Sequence, residues 1–171
     1  MSDKIIPSIL RFILFAALQV VVFNNLQLNA YLNVFIYTAF ILLLPFETSG
    51  GLLLFVSFLM GLLMDVFTNT GGLHAAAATF MAFCRPGVLR FISPRDGYDS
   101  TSSPTISSMG LNWFVTYALL LLFLHNFVCF FLEVFRMSEF FFTMAKIILT
   151  TFVTVLLLIA AQLITGKPMK S

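Results

Sequence analysis

Charge is scarce in this 171-residue chain: 9% of residues are charged, where an ordinary soluble domain carries about 25%. Histidine and cysteine occur twice each, tryptophan once and tyrosine four times, and seven carboxylates complete the acidic inventory. That leaves little material for a metal centre or an acid–base pair. A net charge of +2 gives nucleic acid nothing to grip. What is abundant is apolar: 60% of residues are hydrophobic, 22 of them Phe, and the mean hydropathy is +1.04. A soluble domain of this size leaves roughly a third of its extended-chain surface in water, and 16 charged side chains, nine basic and seven acidic, cannot dress that area. The composition predicts an integral membrane protein.

A spanning helix needs about 20 mostly apolar residues. The chain offers six candidate runs, at about 5–23, 31–44, 50–66, 73–92, 111–134 and 140–164, in a single transmembrane domain. The second is short. Its 14 residues reach only about 21 Å as a helix, and a re-entrant segment is the alternative, leaving five spans. With six spans, one side of the membrane receives Lys4, Arg11, Arg85, Arg90, Arg95, Lys167 and Lys170, seven of the nine basic residues. The positive-inside rule makes that side cytoplasmic and places both termini there. The first run has a basic start, but Leu28-Asn29-Ala30 is a poor cleavage site, so it reads as a retained helix.

The one long polar stretch is Ser93–Gly110, rich in Pro, Gly, Ser and Asp, which reads as a cytoplasmic loop. Arg85 and Arg90 before it, and Arg95 and Asp96 within it, are candidates for partner docking or lipid contact, and contact of the arginines with anionic headgroups is the favoured reading.

Ionisable groups at membrane depth are functional candidates by default. Counting residues from the helix ends puts Asp65 about 22 Å and His125 about 21 Å above the cytoplasmic face, and Lys146 about 9 Å below the outer one. In a hydrocarbon core about 30 Å thick, these three and Asn126 share one level, with His74 just above. A proton or substrate relay would use such a layer; the alternative is a polar clasp that fixes helix packing, or separate side chains snorkelling to the outer headgroups. That alternative is favoured, because a relay usually needs more carboxylates. Asp65 also precedes the free amides that open the fourth helix, where an acid is stabilised. Those amides, helped by Asn69, Thr70 or His74, are its first expected partners, and Lys146 its second. Ala75–Ala78, Thr79 and Ala82 form a small-residue face that allows close helix approach. Cys84 and Cys129 fall near opposite membrane faces, so no disulfide is expected. No metal-ligand spacing, phosphate loop or nucleophile with a nearby base is present in the sequence, so no catalytic residue, metal or cofactor is expected.

Three short motifs, Gly61-x3-Asp65-x5-Gly71-Gly72-Leu73-His74-x-Ala76, Leu44-Pro45-Phe46-Glu47, and Arg85-Pro86 followed by Pro94-Arg95-Asp96, in this order and spacing, resemble the rod shape-determining membrane protein family MreD. The likeness covers nearly the whole chain. It implies an all-α fold of six transmembrane helices, similar to the substrate-binding subunits of energy-coupling-factor transporters. It further implies a non-catalytic part of the cell-elongation machinery in the bacterial inner membrane. The implied partners are MreC, MreB, RodA and the elongation transpeptidase, besides membrane lipids. The resemblance brings no catalytic residues to carry over. A second reading stays open: a small-solute, vitamin-like binding subunit of a transporter, suggested by the buried polar level.

Overall fold

The computed structural model describes residues 2–24, 33–95, 97–98, 103–134 and 140–165. Among them the chain is helical, with no strand. Helix α1 covers Ser2–Leu18 and runs on into a π-helical turn, Gln19–Phe23. A five-residue helix α2, Thr38–Leu42, follows. Helices α3 (Gly50–Thr68) and α4 (Leu73–Phe91) form a hairpin. The short α5, Ile106–Met109, leads into α6 (Leu111–Val134), and α7 (Phe140–Thr165) closes the fold. Helix α3 packs on α4, α4 on α6 and α6 on α7, while α1 touches α2 and α3.

The bundle has an apolar core and, unlike a water-soluble protein, an apolar exterior as well. Phe55, Val66, Phe83, Phe141, Phe152 and Ile164 are exposed, whereas Ser57, Asp65, His74, Arg85, His125, Asn126 and four threonines of α7 are buried. Water would penalise so broad an apolar exterior, and hydrocarbon would not. Helices α3, α6 and α7 are each long and apolar enough to cross a membrane. This is the surface of a membrane-associated protein.

The largest departure from the sequence reading lies at 31–44. Only Thr38–Leu42 of that run is helical, and residues 31 and 32 lie outside the described residues. From Val34 to Leu42 every residue is buried. The segment nonetheless runs alongside α4: Tyr37 meets His74 at the start of that helix, and Leu44 and Pro45 meet Arg85 about three turns further on. It is a broken crossing of the bundle interior, enclosed by α1, α4 and α6. Irregular backbone is tolerated at membrane depth only where protein surrounds it and supplies hydrogen bonds.

Turn chemistry fixes the α3–α4 corner. Asn69 takes the left-handed conformation at φ 56° to end α3, and Gly72 at φ 100° opens α4. Gly61, about two turns back along α3, is required for a different reason. A Cβ there would overlap the carbonyl of His74 and the Cα of Ala75. The two helices touch backbone to backbone at this point.

Candidate functional site

Two groups of hydrogen-bonded, buried polar residues stand at the two ends of the broken crossing. At the first end, Asp65 serves as the N-terminal cap that α4 lacks, since Gly72 has no side chain to offer. Its Oδ1 accepts from the His74 amide at 3.0 Å and from Thr70 Oγ1 at 2.7 Å, and its Oδ2 accepts from the Ala75 amide at 2.9 Å. These are second- and third-position amides, which have no partner within their own helix. A carboxylate there is favoured by the helix dipole.

The His74 ring carries the network inward. Its Nδ1 lies 3.1 Å from the Tyr37 hydroxyl, which lies 2.7 Å from His125 Nε2. His125 Nδ1 is 3.1 Å from Asn126 Oδ1, and Asn126 Nδ2 donates to Thr151 Oγ1 at 2.8 Å. Cys129 Sγ stands 3.8 Å from His74 Nδ1. Phe35 packs edge-on against both imidazoles. One chain of polar groups thus joins α4, the crossing, α6 and α7, and every side chain in it is buried. Gln19, in the π-helical turn, holds the same end from α1. It donates to the Val34 carbonyl at 3.0 Å and accepts from the Tyr37 amide at 3.3 Å. A π turn inserts a residue and turns the side chain off the regular helical stripe, which suits a glutamine that must reach into the core.

The second end is built around Arg85. Only 1% of this side chain's residue surface is exposed. Its guanidinium donates through Nε to Tyr117 Oη at 2.7 Å, through Nη1 to the Pro45 carbonyl at 3.5 Å, and through Nη2 to the Leu44 carbonyl. Tyr117 in turn donates to the Leu42 carbonyl at 3.1 Å. Carbonyls at the end of α2 are therefore satisfied by α4 and α6. Among the described residues no carboxylate lies within ion-pair distance of Arg85, and Lys146–Glu133 is the single ion pair there. Below it, Phe46, Tyr98, Trp113 and Tyr117 form an aromatic stack, with Phe46 and Tyr98 parallel at 4.5 Å and Trp113 and Tyr117 at 4.9 Å. Tyr98 also donates to the Leu89 carbonyl at 2.8 Å, which ties the polar loop to α4.

The structure thus brings Asp65, His74, His125 and Asn126 to one end of the crossing. It leaves Lys146 out. The Lys146 ammonium is 3.5 Å from Glu133 and lies over the Phe130 ring at 4.3 Å. Height along the helix places Lys146 near the polar layer, but its azimuth turns it to the α6 edge. Arg85 is likewise not a headgroup contact, because carbonyls freed by the broken helix supply its acceptors inside the protein. Arg90 and Arg95 are exposed, and Asp96 lies outside the described residues. Sequence reasoning missed Gln19, Tyr37, Tyr117 and Thr151. Gln19, a polar residue inside an apolar run, was the signal available.

An apolar groove of about 670 Å³ runs between α3 and α4 on the outer surface, lined by Leu54, Phe58, Leu62, Ala76, Thr79 and Phe83 among others. It is separate from the polar chain. No family model, curated protein or solved structure matches this chain.

Proposed function

We propose that this protein is a membrane-embedded scaffold of the MreD type, which helps organise sidewall peptidoglycan synthesis with MreC, MreB, RodA and the elongation transpeptidase. One observation carries the reading. The motifs on which the resemblance rests are also the contact points of the fold. Arg85 of one motif donates to Leu44 and Pro45 of another, and within the third Asp65 grips His74 while Gly61 receives its backbone. Residues spent on locking helices together suit a protein whose work is to present surfaces.

In this proposal the broken crossing is the second of six passages through the bacterial inner membrane. It runs from the His74 end to the Arg85 end, so six passages return the chain to its starting side. The excess of lysine and arginine on that side makes it cytoplasmic, with both termini. At both ends of the crossing the buried polar side chains bond to one another or to backbone, which supports packing over solute capture.

Affinity purification of the tagged full-length chain from native membranes tests the assignment. Wall-synthesis proteins should co-purify. Recovery of nucleotide-binding transporter subunits instead would replace this proposal with the solute-subunit reading. Reporter fusions at Lys4 and Lys170 should both report cytoplasm, and opposite sides would overturn the six-passage topology.

A further inference from the structure

The polar chain at the His74 end constrains where its protons sit. Tyr37 has one hydroxyl proton and two imidazole neighbours, His125 Nε2 at 2.7 Å and His74 Nδ1 at 3.1 Å. It can donate to only one of them. Asn126 decides which. In the structure its amide nitrogen donates to Thr151 and its amide oxygen faces His125 Nδ1. An amide oxygen only accepts, so His125 Nδ1 bears a proton. His125 is fully buried, and among the described residues no carboxylate pairs with it, so an uncharged ring is the stable form. An uncharged ring with a proton on Nδ1 has a bare Nε2. Tyr37 must donate there. The hydroxyl lone pair is then left to receive a proton from His74, whose Nδ1 is the atom in reach.

We propose that His74, Tyr37, His125 and Asn126 form a proton-ordered chain with one donor direction, from α4 through the broken crossing to α6 and α7. Both histidines hold their proton on Nδ1, the reverse of the form an isolated imidazole favours in water. Asn126 is the positioning residue that sets the direction. Turning its amide over would present a donor to His125 Nδ1, move the His125 proton to Nε2, send the Tyr37 proton toward His74, and force His74 to carry its own on Nε2. The two tautomers are therefore coupled: both rings are of one kind or both of the other. Cys129, at 3.8 Å from His74 Nδ1, fits as a weak second acceptor. The chain ends in an amide and a threonine, neither of which takes up a proton in the ordinary pH range. It stores an orientation and does not conduct protons.

With only two histidines in the chain, the test is direct. The full-length protein, labelled with ¹⁵N-histidine and reconstituted in lipid bilayers, should show two imidazoles by solid-state NMR, each protonated at Nδ1 and bare at Nε2. Two unlike rings would overturn the coupling, and two Nε2-protonated rings would overturn the direction. Two variants separate this order from mere packing. Tyr37→Phe should leave His125 protonated at Nδ1, because its Asn126 partner remains, while His74 shifts to Nε2. A His74 ring indifferent to loss of the hydroxyl would refute the chain. Asn126→Leu should move both rings toward Nε2, and if that variant does not fold, the wild-type spectrum and Tyr37→Phe decide.

Discussion

The two ends of the broken crossing solve one problem with different chemistry. At the His74 end, apart from the Asp65 carboxylate that caps α4 and Gln19 on the crossing's backbone, neutral side chains from several helices bond to one another, and the crossing contributes Tyr37. At the Arg85 end, a cation bonds to the crossing's own carbonyls. A neutral chain shares its load among several modest hydrogen bonds, so one can be lost at a time. A buried guanidinium concentrates the load in one residue, and its planar fork reaches acceptors that an ammonium cannot reach together. The comparison teaches where the fold is brittle.

Arg85 should therefore show the largest effect. Hydrogen bonds to a charged group contribute about 1.5–3 kcal/mol each, and Arg85→Leu removes several while leaving the Leu44 and Pro45 carbonyls in an apolar interior. Membrane abundance and melting temperature in detergent should both collapse. Arg85→Lys should lose most of this stability too, because the fork geometry is lost. If Lys at 85 behaves like wild type, the two ends differ less than their geometry indicates.

Asp65 comes next. Leucine there strands the His74 and Ala75 amides, at about 1–3 kcal/mol for each unsatisfied buried group, and should lower membrane abundance. Asparagine retains one acceptor oxygen but turns an NH₂ toward a remaining donor, so its loss should be intermediate. Normal abundance of Asp65→Asn with complete loss of the proposed rod-shape function would point to a role for the charge itself, beyond capping.

Gly61→Ala asks whether the same corner is rigid. Overpacking of this kind costs about 1–3 kcal/mol, and here the new methyl meets backbone, which cannot rotate away. A lowered melting temperature with wild-type topology is the expected result. Tyr37→Phe should be milder, on the order of 1 kcal/mol for one buried hydroxyl, and should leave the Arg85 end intact by cysteine-accessibility mapping. Arg90→Lys and Arg95→Lys should be the smallest changes, within about 0.5 kcal/mol, as for exposed positions generally. A large loss at either would identify a bidentate partner contact.

The apolar runs made the long helices legible, because their ends coincide with Asn, Gly and Pro residues that interrupt helices. Asp65 was legible for a local reason: it stands a few residues before the amides it caps. The broken crossing was not. A short apolar run reads alike as helix or as buried irregular backbone, and the side chains that allow it to be irregular come from Gln19, Arg85 and Tyr117, all distant in sequence. Arg85 read as a surface residue since arginine is seldom buried, and nothing local announces that carbonyls await it. Lys146 shows the complementary limit. Residue counting gives height in a membrane but not rotation about the helix axis, and rotation sends its ammonium to Glu133.

The crossing also sets an order of assembly. Tyr37 bonds to His125, 88 residues further along the chain, and its neighbours find Arg85 and Tyr117 in between. At about 5–20 residues per second, the ribosome needs roughly 4–18 s to deliver the last of these partners. The α3–α4 hairpin, by contrast, bonds across nine and ten residues, from Asp65 to the His74 and Ala75 amides. The broken segment is thus made early and completed late. Until α6 arrives, residues 33–45 hold carbonyls without their final donors, and during that interval the nascent chain depends on water or on the insertion machinery to supply them.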